Sequence, residues 1–397
     1  MKVVGIISGT SFDTIETAAA DLRLEGGSAV LRPLGSRSVA YDPGLRAAVA
    51  EALPPATTSA EAVCKLDTRI GQAFAEAAAE AAEEFCGGRT DLVVSHGQTV
   101  FHWVEGDKAL GTLQLGQPAW IAERTGSPVV SDLRNRDIAA GGHGAPLASI
   151  FDVLLLGSGE ETRAALNLGG IANLTVVQGG DAEVPALAFD VGPANALIDA
   201  AVGYLTEGYE SYDQDGRRAA RGVVHEGLLR SLLDEPYYAL GPPKSTGKER
   251  FNLPYLLERL EPFRDIEADD LVSTVTALTS RTVADALERY GATEVVASGG
   301  GTSNPTLMEM LREDAPEVRL RTIEDWGIPS GAKEAYAFAL MGFLSMHGLP
   351  GNVPSCTGAR SAVVLGSITP GRSPLVLPDP SRTAPRRLQV EGAGDGI

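Results

Sequence analysis

The sequence predicts an α/β protein of two related domains, and three observations carry that reading. The chain has 397 residues, long for one domain and comfortable for two. It opens as strand, Gly-containing loop and strand over Met1 to Leu24, and the pattern returns at Arg163 to Val177, RAALNLGGIANLTVV. A third stretch, EVVASGGGTSNPTLMEMLRE, reads as strand, Gly-rich turn and helix, a unit from which parallel sheets are built.

Taken in order, KVVGII and IETAAADLRL are the strands flanking the first loop, SGTSFDT. Ser59 to Glu84 is rich in Ala and Glu and reads as helix. DLVVSHGQT is a strand entering a polar loop, and Ser127 to Leu147 is a strand followed by a long loop of glycine and charge. In the second half, ALAFD is a strand ending at Asp190 before the Gly192-Pro193 turn, and ANALIDAAVGYL continues as helix. Gly331 to Gly348 is apolar on nearly all sides, the mark of a buried helix. The stretch after Gly371 is rich in Pro, Arg and Gly and reads as a tail. The expected division is a first domain over 1–130 with about 350–372, a second over 131–349, and a tail over 373–397.

Acidic residues outnumber basic ones 52 to 33, a formal charge of −19. That excludes a general binder of nucleic acid or of anionic membranes, which needs a basic face. The same acidity means that any phosphate must be met by local Gly loops, helix N-termini and a few Arg or Lys side chains. Cys64, Cys86 and Cys356 lack metal-ligand or C-x-x-C spacing and fit a reducing compartment. No stretch has the length of a membrane span, so the expected location is cytoplasmic.

Five groups of residues could carry chemistry. Ser8, Gly9, Thr10 and Ser11 offer N–H groups and hydroxyls to a phosphate, without the Lys of a P-loop; alone, an ordinary hairpin turn explains them more readily. Gly299, Gly300 and Gly301 strip a strand-to-helix turn of side chains and aim the next helix N-terminus at whatever lies there; alone, an ordinary Gly-rich connection explains them as well. Asp190, at the tip of a strand, could serve as a general base, or simply cap the next turn. Arg134 and Arg136, two apart, would point to one side of an extended segment and could take a carboxylate or phosphate; a surface salt-bridge network is the bland alternative. Glu334, at the polar start of the apolar helix, either answers the helix dipole or faces a cleft. His96 and His143 lack partners at metal spacing and read as hydrogen-bonding residues.

The order and wording of these motifs are specific. SGTS-x-D, SHGQT-x-x-H, VVSDLRNRDIAAGGHGAPL, NLGGIANLT, FDVGPAN-ALIDA, YDQDGRRAARG, PPKSTGKERFN, ASGGGTSNPTLMEML and KEAYAFALMGFLSMHGLPGNVPS-x-TGA together resemble the anhydro-N-acetylmuramic acid kinase family, from Gly5 to about Gly371. The resemblance implies two related actin/hexokinase-like (ribonuclease H-like) domains with an interdomain ATP cleft. It implies a phosphotransferase that opens the 1,6-anhydro ring of anhydro-N-acetylmuramic acid with water. The freed O6 is phosphorylated, giving N-acetylmuramic acid 6-phosphate and ADP in peptidoglycan recycling.

By the same resemblance, Asp190 is the catalytic base. Ser8, Gly9, Thr10, Ser11, Asp13, Gly169, Gly170, Gly299, Gly300, Gly301 and Asn304 match the ATP-binding loops. Thr99, Arg134, Arg136 and Glu334 match segments lining the sugar site. Mg²⁺ is expected on the ATP phosphates and water, with no protein metal ligand assigned. The expected partners are the sugar and ATP, with a homodimer as one candidate assembly. The chain departs from the family pattern at Thr14 and Glu16, where Gly and Asp are usual, at Val191 and Ala194, in place of Thr and Gly, and at Ile7, where Met is common. The rival readings are another sugar kinase of the same superfamily and a non-catalytic ATP-binding sensor.

Overall fold

Strand β1 (Lys2–Ser8) is buried at every position after Lys2, as a strand covered on both faces must be. The computed structural model describes residues 1–9, 12–106, 108–157, 159–180 and 184–392. In chain order β1 is followed by β2 (Thr14–Glu25), β3 (Ser28–Ala40), helices α1 (Pro43–Ala52) and α2 (Ala60–Cys86), and strands β4 (Leu92–Glu105) and β5 (Lys108–Leu115). Then come α3 (Pro118–Thr125), β6 (Val129–Ser131), α4 (Leu133–Ala139) and α5 (Ser149–Leu156). The middle of the chain gives β7 (Arg163–Leu168), β8 (Ile171–Val177), β9 (Leu187–Pro193), α6 (Asn195–Leu205), α7 (Arg217–Arg221), α8 (Glu226–Leu233), α9 (Leu253–Leu260) and α10 (Ala268–Arg289). It continues through β10 (Glu294–Ser298), α11 (Pro305–Asp314) and β11 (Arg319–Thr322). Last are α12 (Lys333–Met346), α13 (Pro354–Thr357), β12 (Ser367–Thr369) and β13 (Arg387–Val390).

Two compact units result: Met1–Gly157 with Trp326–Ile397, and Ser158–Asp325. The sequence placed the boundaries near 130 and 350 instead. The difference lies in two stretches that join the first unit: 131–157, which carries α4 and α5, and 326–349, which carries α12, packed on β1, β2 and β4.

The two sheets share one topology. In the first, β3, β2, β1, β4 and β6 are neighbours in that order; in the second the order is β9, β8, β7, β10, β11. In each, the first three strands in sequence pair antiparallel and two later strands add in parallel on the other side of the first; in the first sheet β5 also pairs antiparallel with β4. This is the ribonuclease H-like arrangement, present twice, and it gives physical form to the repeated Gly-loop hairpins of the sequence.

The first unit's core lies between its sheet and α2, where Leu66, Ile70 and Phe74 are buried against Val4, Ile6 and Val93. Helix α2 begins where Ser59 accepts from Ala62 N and ends at Gly87 in the left-handed conformation. Against the other elements of this unit, α12 is buried at all positions but Glu334. It comes close enough to the sheet to require two glycines. A Cβ on Gly5 would lie 2.0 Å from the Ala335 carbonyl oxygen, and one on Gly342 would lie 2.2 Å from Val94 Cγ2. The second unit buries Leu166, Leu174, Val283 and Leu311 between its sheet and α10 and α11.

Two local expectations change. The segment after β6 is first the helix α4 and only then a loop, and the fully buried Asp137 ties both down: Oδ1 accepts from Asn352 Nδ2 (2.6 Å) and Thr357 Oγ1 (2.7 Å), and Oδ2 from Gly144 N (2.8 Å). The stretch after 372 is not only a tail, since β13 pairs in parallel with β3, Arg387 opposite Ser28 through Val390 opposite Leu31.

Candidate active site

In the second unit the two glycine loops sit side by side, because β7 and β10 are parallel neighbours with Ser298 opposite Asn167. Gly299 has φ +87°, a conformation that glycine adopts without strain, and a Cβ there would stand 2.5 Å from Asn167 Oδ1. A Cβ on Gly301 would stand 2.6 Å from Leu168 Cβ. Asn195, opening α6, locks the Gly169–Gly170 hairpin by donating from Nδ2 to the carbonyls of Leu168 (3.1 Å) and Gly169 (2.9 Å). Among the described residues the N–H groups of Gly169, Gly170 and Gly300 donate to no main-chain acceptor. Such a bare turn of N–H groups suits an anion. Asn304 has a plainer role visible in the structure: its Oδ1 caps α11 through Leu307 N at 3.0 Å.

Asp190 lies within β9 rather than at its tip, since the strand runs on to Pro193. Its main chain is pinned on both sides, its N–H donating to Lys244 O (3.2 Å) and its carbonyl accepting from the Tyr237 hydroxyl (2.8 Å). One carboxylate oxygen, Oδ2, accepts from Ser245 Oγ (2.8 Å) and Thr246 N (3.0 Å). Oδ1 accepts no hydrogen bond among the described residues. Burial raises the pKa of Asp190 above the ordinary carboxylate value, opposed by the Thr246 N–H and the Ser245 hydroxyl. The result is a carboxylate with one oxygen clamped, one available, and a basicity greater than that of a solvated Asp.

In the first unit, β1 and β4 run in parallel with Ser8 opposite Gln98. The fully buried Gln98 holds the start of the first loop, donating from Nε2 to Gly9 O (3.2 Å) and accepting from the Tyr41 hydroxyl (3.2 Å). Burial pushes the Tyr41 phenol up to about 12, against the lowering effect of the Ser8 hydroxyl. Asp13 pairs with Arg46 at the surface. Thr10 and Ser11 lie outside the described residues. The departures Thr14 and Glu16 answer each other, with Thr14 Oγ1 donating to Glu16 Oε1 (2.7 Å).

Arg134 and Arg136 do not point to one side, because they lie on a helix, where residues two apart diverge. Arg134 turns inward, donating from Nε to His96 Nε2 (2.8 Å) and from Nη1 to Gly144 O (2.6 Å). His96 is buried and must carry its proton on Nδ1, facing Gly97 O at 2.8 Å, to accept at Nε2. Burial and the Arg134 charge hold its pKa well below the usual histidine range, so it stays neutral. Glu334 and Asp137 favour the charged form of Arg134, whose pKa burial lowers. Arg136 is exposed, and its side chain makes no hydrogen bond or ion pair among the described residues. Thr99 Oγ1 accepts from Gln114 Nε2 (3.1 Å), and Glu334 is the exposed position of α12.

Sequence reasoning missed Ser245, Thr246 and Gln98 as site residues, although each lies in a motif that it singled out. Among the described residues no cluster of three or more His, Cys, Asp or Glu could hold a metal ion, and no helix is long and apolar enough to cross a membrane.

A family model described as anhydro-N-acetylmuramic acid kinase matches residues 1–371. The chain is 58% identical over 392 residues to the anhydro-N-acetylmuramic acid kinase of Streptomyces coelicolor, covering 99% of this chain and 100% of that one. It is 55% identical over 395 residues to the enzyme of the same name from Rhodococcus erythropolis, covering 98% and 100%. Among solved structures, a ROK family glucokinase from Streptomyces griseus in complex with glucose and AMPPNP aligns with a TM-score of 0.38 at 14% identity, covering 86% of this chain and 99% of that one.

Proposed function

The chain belongs to the anhydro-N-acetylmuramic acid kinase family, and from that premise we propose that Asp190 is the base that activates water at the anomeric carbon of anhydro-N-acetylmuramic acid. The overall reaction consumes ATP, water and the anhydro sugar and yields N-acetylmuramic acid 6-phosphate and ADP. The carrying observation is the half-clamped carboxylate: Ser245 and Thr246 fix Oδ2, and Oδ1 is left to take the water proton. The water oxygen bonds to C1, the C1–O6 bond breaks, and O6 attacks the γ-phosphoryl group as ADP leaves. Positioning and charge neutralisation then supply most of the remaining acceleration.

The bare N–H turns at Gly169–Gly170 and Gly299–Gly301 are assigned to the ATP phosphates, with the Ser8–Asp13 loop as the corresponding segment of the first unit. The donor set there is main-chain N–H rather than a carboxylate cage, which fits Mg²⁺ carried by the ATP phosphates and water. Bound in that way, the ion would neutralise phosphate charge. Thr99, Arg134, Arg136 and Glu334 are assigned to the sugar. Of the two arginines, Arg136 has its fork free for the lactyl carboxylate, while Arg134 braces His96 and the Gly144 loop. A cytoplasmic location, where ATP is at hand, belongs to the same proposal.

Reaction in ¹⁸O water tests this reading. Label should appear on C1, with the phosphate ester oxygen unlabelled, in samples quenched early and compared with a no-enzyme control for slow anomeric exchange. Label in inorganic phosphate, with none gained enzymatically at C1, would overturn it.

A further inference from the structure

The segment that clamps Asp190 carries a second group that the reaction above leaves unused. Two residues beyond Thr246, the Lys248 side chain crosses the Gly169–Gly170 hairpin. A Cβ on Gly170 would lie 3.0 Å from Lys248 Cε and 3.8 Å from Nζ, so the end of the lysine lies directly against the hairpin and a larger residue there would have to displace it. The lysine's main chain is anchored, its carbonyl accepting from Asn252 Nδ2 at 3.0 Å in the cap of α9. Its ammonium makes no ion pair or hydrogen bond among the described residues. The carboxylate that feels its charge is Asp199, half-buried one turn into α6. An unengaged ammonium beside bare N–H groups, in a chain of net charge −19, is the local cation that a polyphosphate needs.

We propose that Lys248 is a catalytic residue of the phosphoryl transfer, its ammonium contacting the γ-phosphoryl oxygens of ATP bound over the Gly169–Gly170 hairpin. It neutralises charge on those oxygens as the O6–P bond forms and the bond to the departing ADP oxygen breaks. The inference rests on the assignment of the glycine hairpin to ATP and of Asp190 to the base. It adds that one five-residue stretch, Lys244 to Lys248, serves both half-reactions: Ser245 and Thr246 orient the base for ring opening, and Lys248 meets the phosphate for transfer.

The test compares Lys248→Ala and Lys248→Arg with the parent, using the full chain, ATP, Mg²⁺ and the anhydro sugar. Lys248→Ala should lower kcat by about 10²–10³-fold, the loss typical of a donor that stabilises transition-state charge. Lys248→Arg should restore part of it. Affinity for ADP, which lacks the γ-phosphoryl group, should change by less than about threefold, roughly the factor that 0.6 kcal/mol represents. The acid limb of the pH–rate profile should stay in place, since Lys248 makes no contact with the Asp190 carboxylate. Near-normal kcat in Lys248→Ala, or a loss of ADP affinity as large as the loss of kcat, would overturn the proposal. Asp190→Asn, run in parallel, separates the two readings: if it abolishes turnover while Lys248→Ala does not, the lysine role alone fails. If neither variant affects turnover, the site itself is misassigned.

Discussion

The Ser245 hydroxyl donates to Asp190 Oδ2 at 2.8 Å although 55 residues separate the two in sequence. That contact lowers the Asp190 pKa against the raising effect of burial. In the proposed role Asp190 must be ionised to act, so activity should be lost as pH falls through its pKa. Ser245→Ala removes a lowering contact, so the acid limb of kcat/KM should move to higher pH, while kcat at pH 8 stays within about threefold of the parent. An unmoved limb in a pH–rate series would show that Ser245 does not set the base.

The two arginines of α4 should separate cleanly. Arg136→Ala should leave thermal stability unchanged and raise KM for the sugar well above any change in KM for ATP, by on the order of tenfold for a lost charged contact. Arg134→Lys should instead lower the melting temperature. A lysine cannot reproduce the fork reaching both His96 Nε2 and Gly144 O, and buried acceptors would lose their donors. Steady-state kinetics beside calorimetry checks both.

Gly342→Ala should destabilise the first unit by about 1–3 kcal/mol, because the new methyl would sit 2.2 Å from Val94 Cγ2 and push α12 off the sheet. Denaturant titration measures it. A neutral outcome would show that α12 and the sheet can part at Val94 without cost.

Asp199 offers a test with a definite sign. Burial raises its pKa to about 6, with the Lys248 charge opposing, whereas in an unfolded chain it ionises near 3.9. A raised folded pKa makes ionisation costly to the fold, and the cost develops as pH climbs from about 4 through about 6. Asp199→Asn should therefore be more stable than the parent at pH 8, by on the order of 1–2 kcal/mol after allowance for solvent screening. It should show no such gain at pH 4. Melting curves at the two pH values decide it.

What could be read from the sequence was what local chemistry dictates. Ser59 and Gly87 bound α2 through contacts within a turn of chain, and the Gly-loop hairpins announce both sheets because a tight turn writes itself into adjacent residues. The apolar circumference of α12 likewise told its burial. The Ser245–Asp190 clamp could not be read in that way, since it depends on how the PPKSTGKERFN segment returns to β9. Arg134 and Arg136 were misjudged as a same-side pair because strand spacing was assumed, whereas the segment is helical and is held in place through the buried Asp137, bound to Asn352 and Thr357 far along the chain. The domain boundaries expected near 130 and 350 differ from the observed Gly157 and Trp326, because nothing in the local sequence of α4, α5 or α12 says which sheet each will cover.

The pairing of β13 with β3 bears on how this protein behaves in company. Main-chain bonds flank the ladder, from Arg386 N to Gly27 O at 3.0 Å and from Glu391 N to Leu31 O at 2.8 Å, so the last described strand covers the rim of the first sheet. An uncovered rim is a template on which a neighbouring molecule can dock strand to strand. Clipping the chain before Arg387 would leave Asp190 and the glycine loops in place and still bare the β3 rim, so the shortened chain should self-associate more readily than the parent.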